Sequence, residues 1–346
     1  MRPYFTISNS IVLAQHDSLR PIADIISYSS KTNPDITPIL EQNTDCMFSI
    51  HAANELIHIK DLSRVLFLAQ AWNREEIQTL LDQRIANFVV DNESDLEILL
   101  HYLANNPAQK IHLQLRLKLK ENTLRTERYF VFGMTSDTII RRIHQLKDNH
   151  QIQSLGIHFH RKTQNMAEWN LKYELQQLFP EEILKAITII NIGGGLPSNY
   201  ANTNQDVIHS IKNKIQDLRT FLNQKNIKLL VEPGRFIAAP AGKLITQITQ
   251  IYDNNIIINA SVYNSDMDAI LVPVKLLVKG ELQKTDPEAK PFIIKGSTPC
   301  SLDLFRYRVY LNNPKVGNTL TFRNAGAYNF ASDFCDLDKI ETKIID

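Results

Sequence analysis

Cysteine is scarce: Cys46, Cys300 and Cys335 are the only three in 346 residues. They share no motif spacing and are too few for a disulfide framework, so reduced thiols are expected. Long apolar runs are missing too, and Met1-Arg2-Pro3-Tyr4-Phe5 lacks the basic-then-apolar pattern of a leader. The expectation is therefore a cytoplasmic protein with no membrane partner. Neither sign of charge is in excess, with 38 Lys+Arg against 37 Asp+Glu and no basic block, which argues against a nucleic-acid partner. Low-complexity tracts and repeats are absent as well. What remains is an ordinary globular composition, 43% apolar and 22% charged, in a chain long enough for one large domain and a smaller one.

From about residue 23 to 235, short β-branched or apolar runs alternate with longer amphipathic stretches, the pattern of βα units. Strands are expected over 24–30, 46–50, 64–68, 87–91, 110–117, 154–160, 187–192 and 228–232. Helices are expected over 74–84, 93–104, 135–146, 166–178 and 206–222, with caps from Asn92 or Asp91 and from Thr135, Ser136 or Asp137. Eight such units indicate an α/β protein built on a (β/α)8 TIM barrel, whose active site lies at the strand C-termini. After Arg235 the strands 243–251, 256–260, 269–278, 291–294 and 319–322 follow with no long helix between them. That predicts a C-terminal β-rich domain: residues 21–242 form the barrel, and 1–20 with 243–346 form the second domain.

Polar and special residues collect at the expected strand ends. Lys31 stands where the first strand meets Asn33-Pro34. Taken alone it reads as a solvated charge; a Schiff-base lysine needs the same exit point and a site that depresses its pKa. Gly193, Gly194 and Gly195 after the seventh strand would let backbone N–H groups approach an anion, and Gly234-Arg235 after the eighth would complete a cradle for phosphate. His158 and His160, two apart on a strand, also fit a metal pair with His51 and Asp91, but that reading leaves Lys31 and the glycines unexplained. Glu232 is by default an ion-pair partner, and a carboxylate there would equally hold a cofactor's ring nitrogen protonated. Cys300 sits in a turn-rich loop, where an exposed thiol can be reactive.

In combination these residues resemble the barrel-type pyridoxal-phosphate decarboxylases, the family of ornithine, arginine, diaminopimelate and carboxynorspermidine decarboxylases. Tyr28-Ser29-Ser30-Lys31-Thr32-Asn33-Pro34 is similar to the family's Tyr-Ala-x-Lys-x-Asn-Pro. Gly156-Ile157-His158-Phe159-His160-Arg161-Lys162-Thr163 is similar to the stretch whose last histidine stacks on the pyridine ring, with Thr163 where a phosphate-binding serine usually lies. The stretch from Asn191 to Pro197 is similar to Asp-Ile-Gly-Gly-Gly-Phe-Pro. Glu232-Pro233-Gly234-Arg235 and Ala325-Gly326-Ala327-Tyr328 match residue for residue, and Arg116 matches an arginine beside the cofactor.

The resemblance implies pyridoxal 5′-phosphate bound through Lys31, with Glu232 on the ring nitrogen and His160 on the ring face. It places Gly193, Gly194, Gly195, Thr163, Gly234, Arg235 and Tyr328 on the phosphate, Arg116 nearby, and Cys300 as the acid that reprotonates Cα. It further implies a homodimer with shared active sites, in which Cys300 comes from the partner subunit. The expected reaction is decarboxylation of an amino acid, with a basic L-amino acid (ornithine, lysine or arginine, as in polyamine biosynthesis) as substrate and Asp266, Asp268 or Asp303 meeting its distal cation. Departures bear on that substrate. Pro299-Cys300-Ser301 lacks the acidic residue that follows the cysteine in ornithine-type enzymes, Arg161-Lys162 replaces an apolar-Gly pair, and no aspartate stands at the second substrate position. A larger conjugated amino acid, such as carboxynorspermidine, diaminopimelate or a siderophore intermediate, is the alternative. A racemase, a non-catalytic pyridoxal-phosphate-binding regulator and a barrel metallohydrolase are the other readings.

Overall fold

A computed structural model describes residues 1–118 and 131–346. It divides into two compact units. One holds His16–Pro197 and Asp206–Gly234, and the other holds Met1–Gln15, Ser198–Gln205 and Arg235–Asp346.

In the first unit eight parallel strands among the described residues close into a barrel, in sequence order. They are Ile25–Ser29, Met47–Ile50, Val65–Ala69, Asn87–Val90, Ile111–Arg116, Ile152–His158, Ile189–Asn191 and Lys228–Val231. The first strand pairs with the second (Ser29 opposite Ser49) and with the eighth (Ile26 opposite Val231), which closes the ring. Leu66, Val89 and Leu230 form a buried floor, with Ile25, Met47, Leu68 and Ile189 packed against it. Each such side chain removed from water contributes about 1.5–3 kcal/mol, so the interior is a plug that supports the strand C-termini.

The helices between strands start where the sequence offers caps. Asn73 and Glu76 form a reciprocal capping box for Arg74–Asp82, the Asn92 side chain caps Glu93–Asn105, and Thr135 caps Ser136–Leu146. The helix expected over 166–178 is shorter, running Leu171–Leu178. The Asn165 side chain accepts from the Glu168 N–H at 3.1 Å, and the Trp169 indole donates to the Asn165 carbonyl at 2.8 Å. These local bonds compete with helix formation and hold a turn instead.

The second unit is an eight-stranded sheet centred on Gly242–Tyr252, which pairs with Thr319–Arg323, Tyr4–Ser8 and Asn255–Ile258. Tyr4–Ser8 also pairs in parallel with Glu341–Ile345. Two expectations are corrected here. The strand expected over 269–278 is mostly something else: short helices span Val262–Ser265 and Met267–Leu271, and only Leu277–Val278 is strand. Ser261 caps the first of these through its side chain, and Pro273 interrupts the apolar run that imitated a strand. Leu304–Leu311 and Glu341–Ile345 are strands that composition hid behind charged residues. Arg306 within Leu304–Leu311 is buried against Glu281, to which it donates at 2.6 and 3.0 Å. Among the described residues no helix is long and apolar enough to cross a membrane.

Candidate active site

Parallel register lines up the functional strand ends of the barrel. Arg116 stands opposite His158, and His158 opposite Asn191. The next chain bends in from the eighth strand, whose Glu232 N–H donates to the Gly193 carbonyl at 2.8 Å. Lys31 follows the first strand in a single 3-10 turn, Ser30–Thr32, and the Asn33 side chain then caps the turn that begins at Pro34. Ser29 ties this exit to the eighth strand, its N–H donating to the Pro233 carbonyl at 3.2 Å and its hydroxyl to the Glu232 carbonyl at 3.2 Å.

The Lys31 side chain is accessible to solvent, while the surrounding protein withdraws enough water to lower its pKa below the ordinary lysine range. Glu232, Lys31's main electrostatic partner, opposes that shift. Glu232 is buried, and burial favours its neutral form; His158 and the Asn191 amide overcome this and bring its pKa down to about 2. Its Oε1 accepts from Asn191 Nδ2 at 2.7 Å, and its Oε2 lies 3.7 Å from His158 Nε2.

The histidine pair is not the shared strand face expected from the sequence. The strand ends at His158, and His160 lies past it, where the Gly194 N–H donates to its Nδ1 at 3.2 Å. That bond fixes the neutral ring with its hydrogen on Nε2. His51, reached from the second strand, has a half-buried ring. Burial, with Lys31 adding to it at His51, lowers His51 and His160 each to about 3.

A pH prediction follows for the protein without added cofactor. Both histidines are neutral when folded and become charged when unfolded near 6.5, so their stabilisation is complete above pH 6.5 and is lost as pH falls towards 3. Glu232, with a depressed pKa, adds a loss between 4.5 and about 2. Unfolding at pH 5 is expected to take up about two protons through the histidines, and His160→Asn should remove about one. A urea midpoint that stays flat from pH 7 to 4 would contradict this.

The glycine run turns sharply, with φ of 64° at Gly193 and 86° at Gly195, where a Cβ would meet the Phe159 and Lys162 carbonyls at 2.7 and 2.5 Å. Two of its three N–H groups are committed inside the loop. Gly193 donates to Asn191 Oδ1 at 2.9 Å and Gly194 to His160. Arg116 is bound by Asp91 at 2.9 Å and lies 4.8 Å from the Phe132 ring, so Asp91 serves this arginine. Thr163 is half-buried in the loop after His160. Arg161, which replaces an apolar residue of the resembling motif, is buried and pinned by Glu168 and Glu174.

The remaining candidates lie in the second unit. Arg235 is buried and bound by Asp268, with Nη2 to Oδ1 at 3.0 Å, and donates to the Tyr200 hydroxyl at 2.8 Å. Its guanidinium lies 5.0 Å from the Tyr328 ring, and φ at Tyr328 is 56°. Cys300 Sγ is 2.9 Å from the Tyr263 hydroxyl, which lowers the thiol's pKa. Tyr263 in turn stacks on Phe334 at 3.9 Å.

The three aspartates expected at a substrate cation are all buried. Asp268 is spent on Arg235, and Asp303 accepts from the Val262 N–H, the Thr298 N–H and the Thr298 hydroxyl at 2.8, 3.0 and 2.7 Å. Both already hold partners within this chain, so a distal ammonium would have to share their remaining lone pairs. Asp266 differs: neither carboxyl oxygen meets a hydrogen-bond partner, and burial raises its pKa well above the ordinary value. Sequence reasoning missed Gln114, Tyr200 and Tyr263, and it read His51 only as a metal-ligand candidate. Only His51, directly after a strand, carried a local signal.

The barrel fits a pyridoxal phosphate on its own donor set. Thr32 Oγ1, His51 Nδ1, Glu55 Oε2 and His158 Nδ1 are buried without a hydrogen-bond partner, around an accessible amine of lowered pKa and a carboxylate held ionised. A ligand with ring, hydroxyl and carbonyl groups would meet such atoms.

A family model described as "Pyridoxal-dependent decarboxylase, pyridoxal binding domain" matches residues 13–239. Diaminopimelate decarboxylase of Aquifex aeolicus is 23% identical over 300 residues, covering 78% of this chain and 66% of that protein. The 2-[(L-alanin-3-ylcarbamoyl)methyl]-2-hydroxybutanedioate decarboxylase of Staphylococcus aureus is 25% identical over 205 residues, 56% of this chain and 51% of that protein. The crystal structure of diaminopimelate decarboxylase from Helicobacter pylori complexed with L-lysine superposes with a TM-score of 0.83 at 18% identity, over 100% of this chain and 92% of that one. The chain spans only 66%, 53% and 48% of the length of three curated diaminopimelate decarboxylases that it matches.

Proposed function

On the premise that this chain belongs to the pyridoxal-dependent decarboxylases, we propose that it removes the α-carboxylate of an amino acid as CO2, using pyridoxal 5′-phosphate. The observation that carries this reading is the pairing, in one barrel, of Lys31 with lowered pKa and Glu232 held ionised near 2. When bound, the cofactor supplies an aldehyde that condenses with amines and a ring that accepts the electron pair left by the departing carboxylate.

The chain's own residues supply the rest. Lys31 offers a neutral amine more readily than an ordinary lysine and so anchors the cofactor, then gives way to the substrate amine. Glu232 keeps a proton on the ring nitrogen, because a carboxylate ionised at every working pH stabilises the positive partner. His160, locked by Gly194, packs on the ring. For the phosphate the reading narrows within the barrel to Gly195, Gly234 and the Thr163 hydroxyl, because the Gly193 and Gly194 N–H groups are already bound. Arg116, neutralised by Asp91, would stand beside the cofactor without carrying net charge to it. Cys300, its thiol pKa lowered by Tyr263, is the proposed donor of the proton to Cα. A homodimer, with Cys300 delivered by a second copy, completes the proposal.

For substrate, the reading is a basic L-amino acid. One observation favours the larger conjugated amino acid instead: Asp268 and Asp303 already hold partners within the chain, and burial pushes the Asp266 carboxyl towards its neutral form. The test is CO2 release with added pyridoxal phosphate from L-ornithine, L-lysine, L-arginine, meso-diaminopimelate, carboxynorspermidine and a citryl-diaminopropionate conjugate. Turnover of one of the first three supports the basic-amino-acid reading. Turnover confined to diaminopimelate or the conjugates replaces it with the second. Cofactor binding without CO2 from any of the six would leave a non-catalytic pyridoxal-phosphate protein.

A further inference from the structure

We propose that Asn191 is a positioning residue that, in this chain, holds Glu232 as a single ionised acceptor and ties it to the first glycine of the loop. This rests on the reading of Glu232 as the ring-nitrogen carboxylate.

Asn191 is fully buried at the end of the seventh strand, and its two polar atoms are matched to their surroundings. Nδ2 has two hydrogens and faces two acceptors, Gln114 Oε1 at 2.9 Å and Glu232 Oε1 at 2.7 Å. Oδ1 accepts from the Gly193 N–H at 2.9 Å. The resembling motif, Asp-Ile-Gly-Gly-Gly, has a carboxylate where this chain has Asn191. Gln114 can turn its amide to meet a carboxylate; Glu232 cannot. An aspartate at 191 would put two carboxyl oxygens in the place of that 2.7 Å bond, and one of them would have to carry a proton.

Every titratable group around Glu232 bears on this. His158 lies beside it on the sixth strand, with His160 following; Lys31 comes from the first-strand end and His51 from the second. His51 and His160 stay neutral down to about 3, so they do not compensate a second negative charge near neutrality. Asn191 supplies what they do not, a hydrogen without a charge. The same side chain sets the Gly193 turn, so ring nitrogen and phosphate are registered to each other through one residue.

The experiment is infrared spectroscopy of the full-length protein, before and after addition of pyridoxal phosphate. Each spectrum is taken as the difference from the matching Glu232→Gln variant, so that every other buried carboxyl, Asp266 included, cancels. Wild type should show no protonated Glu232 carbonyl stretch at pH 5 and above. Asn191→Asp should show one at pH 6, with the pair's upper apparent pKa raised by at least about two units over that of Glu232, and cofactor affinity falling about tenfold between pH 8 and 6. Asn191→Ala, which removes the donor without adding charge and is the recourse if the aspartate variant does not fold, should raise the Glu232 pKa by about one unit. A Glu232 pKa unchanged by either substitution overturns the proposal. Because the first measurement needs neither cofactor nor turnover, it reads out even if the protein decarboxylates nothing.

Discussion

Lys31→Ala abolishes covalent retention of the cofactor and lowers the decarboxylation rate by more than about 10⁴-fold, the upper end for losing a positioned proton-transfer group. The size follows from two roles falling on one atom. In the proposed mechanism the Lys31 amine would anchor the cofactor carbonyl, and desolvation lowers its pKa below the ordinary lysine range, which favours the nucleophilic neutral form. The check is borohydride reduction followed by mass spectrometry of the intact chain. Wild type should gain one reduced pyridoxyl group on Lys31, and the variant none. Lys31 lies on a turn held by Ser29, Asn33 and Pro34 rather than by its own side chain, so the variant is expected to fold, and its thermal midpoint separates lost chemistry from lost structure. A variant that keeps more than a tenth of wild-type turnover would remove Lys31 from the mechanism.

Glu232→Gln lowers kcat by about 10²- to 10³-fold, the scale for losing one preorganised electrostatic partner, with a smaller effect on KM. The glutamine keeps shape and can still accept from Asn191, so the change isolates charge. In wild type the carboxylate is ionised down to about pH 2, and in the proposed role it would keep the ring nitrogen's proton in place across the working range. In the variant ring protonation follows solution pH, so the pH–rate profile should gain a falling alkaline limb absent from wild type. Equal loss at every pH, with no change of profile, would assign Glu232 a packing role instead.

The barrel was legible because its signals are local. Runs such as Ile25–Ser29 and Val65–Ala69 are apolar, short and separated by amphipathic stretches, and the helix caps at Asn92 and Thr135 sit where the pattern put them. Lys31 and Glu232 were legible as strand ends. What the sequence hid were partnerships between distant residues. Nothing near Asp268 announces Arg235, and nothing near Gln114 announces Asn191, because side-chain hydrogen bonds between strands carry no sequence period. The partners of Asp268 and Asp303 were hidden for that reason: an aspartate's availability depends on which donors the fold has already brought to it. The false strand over 269–278 is a different failure, apolar composition without the length or alternation that tells strand from helix.

Tyr4–Ser8 is bracketed by Gly242–Tyr252 on one side and Glu341–Ile345 on the other, whereas the barrel is complete once Lys228–Val231 pairs with Ile25–Ser29. On an elongating chain, Lys31, Asn191 and Glu232 are therefore all synthesised before the opening strand meets its second neighbour. The order of synthesis favours a barrel that encloses its lysine early, while Tyr4–Ser8 waits with an unpaired edge, the kind of exposed ladder on which chaperones and neighbouring chains act.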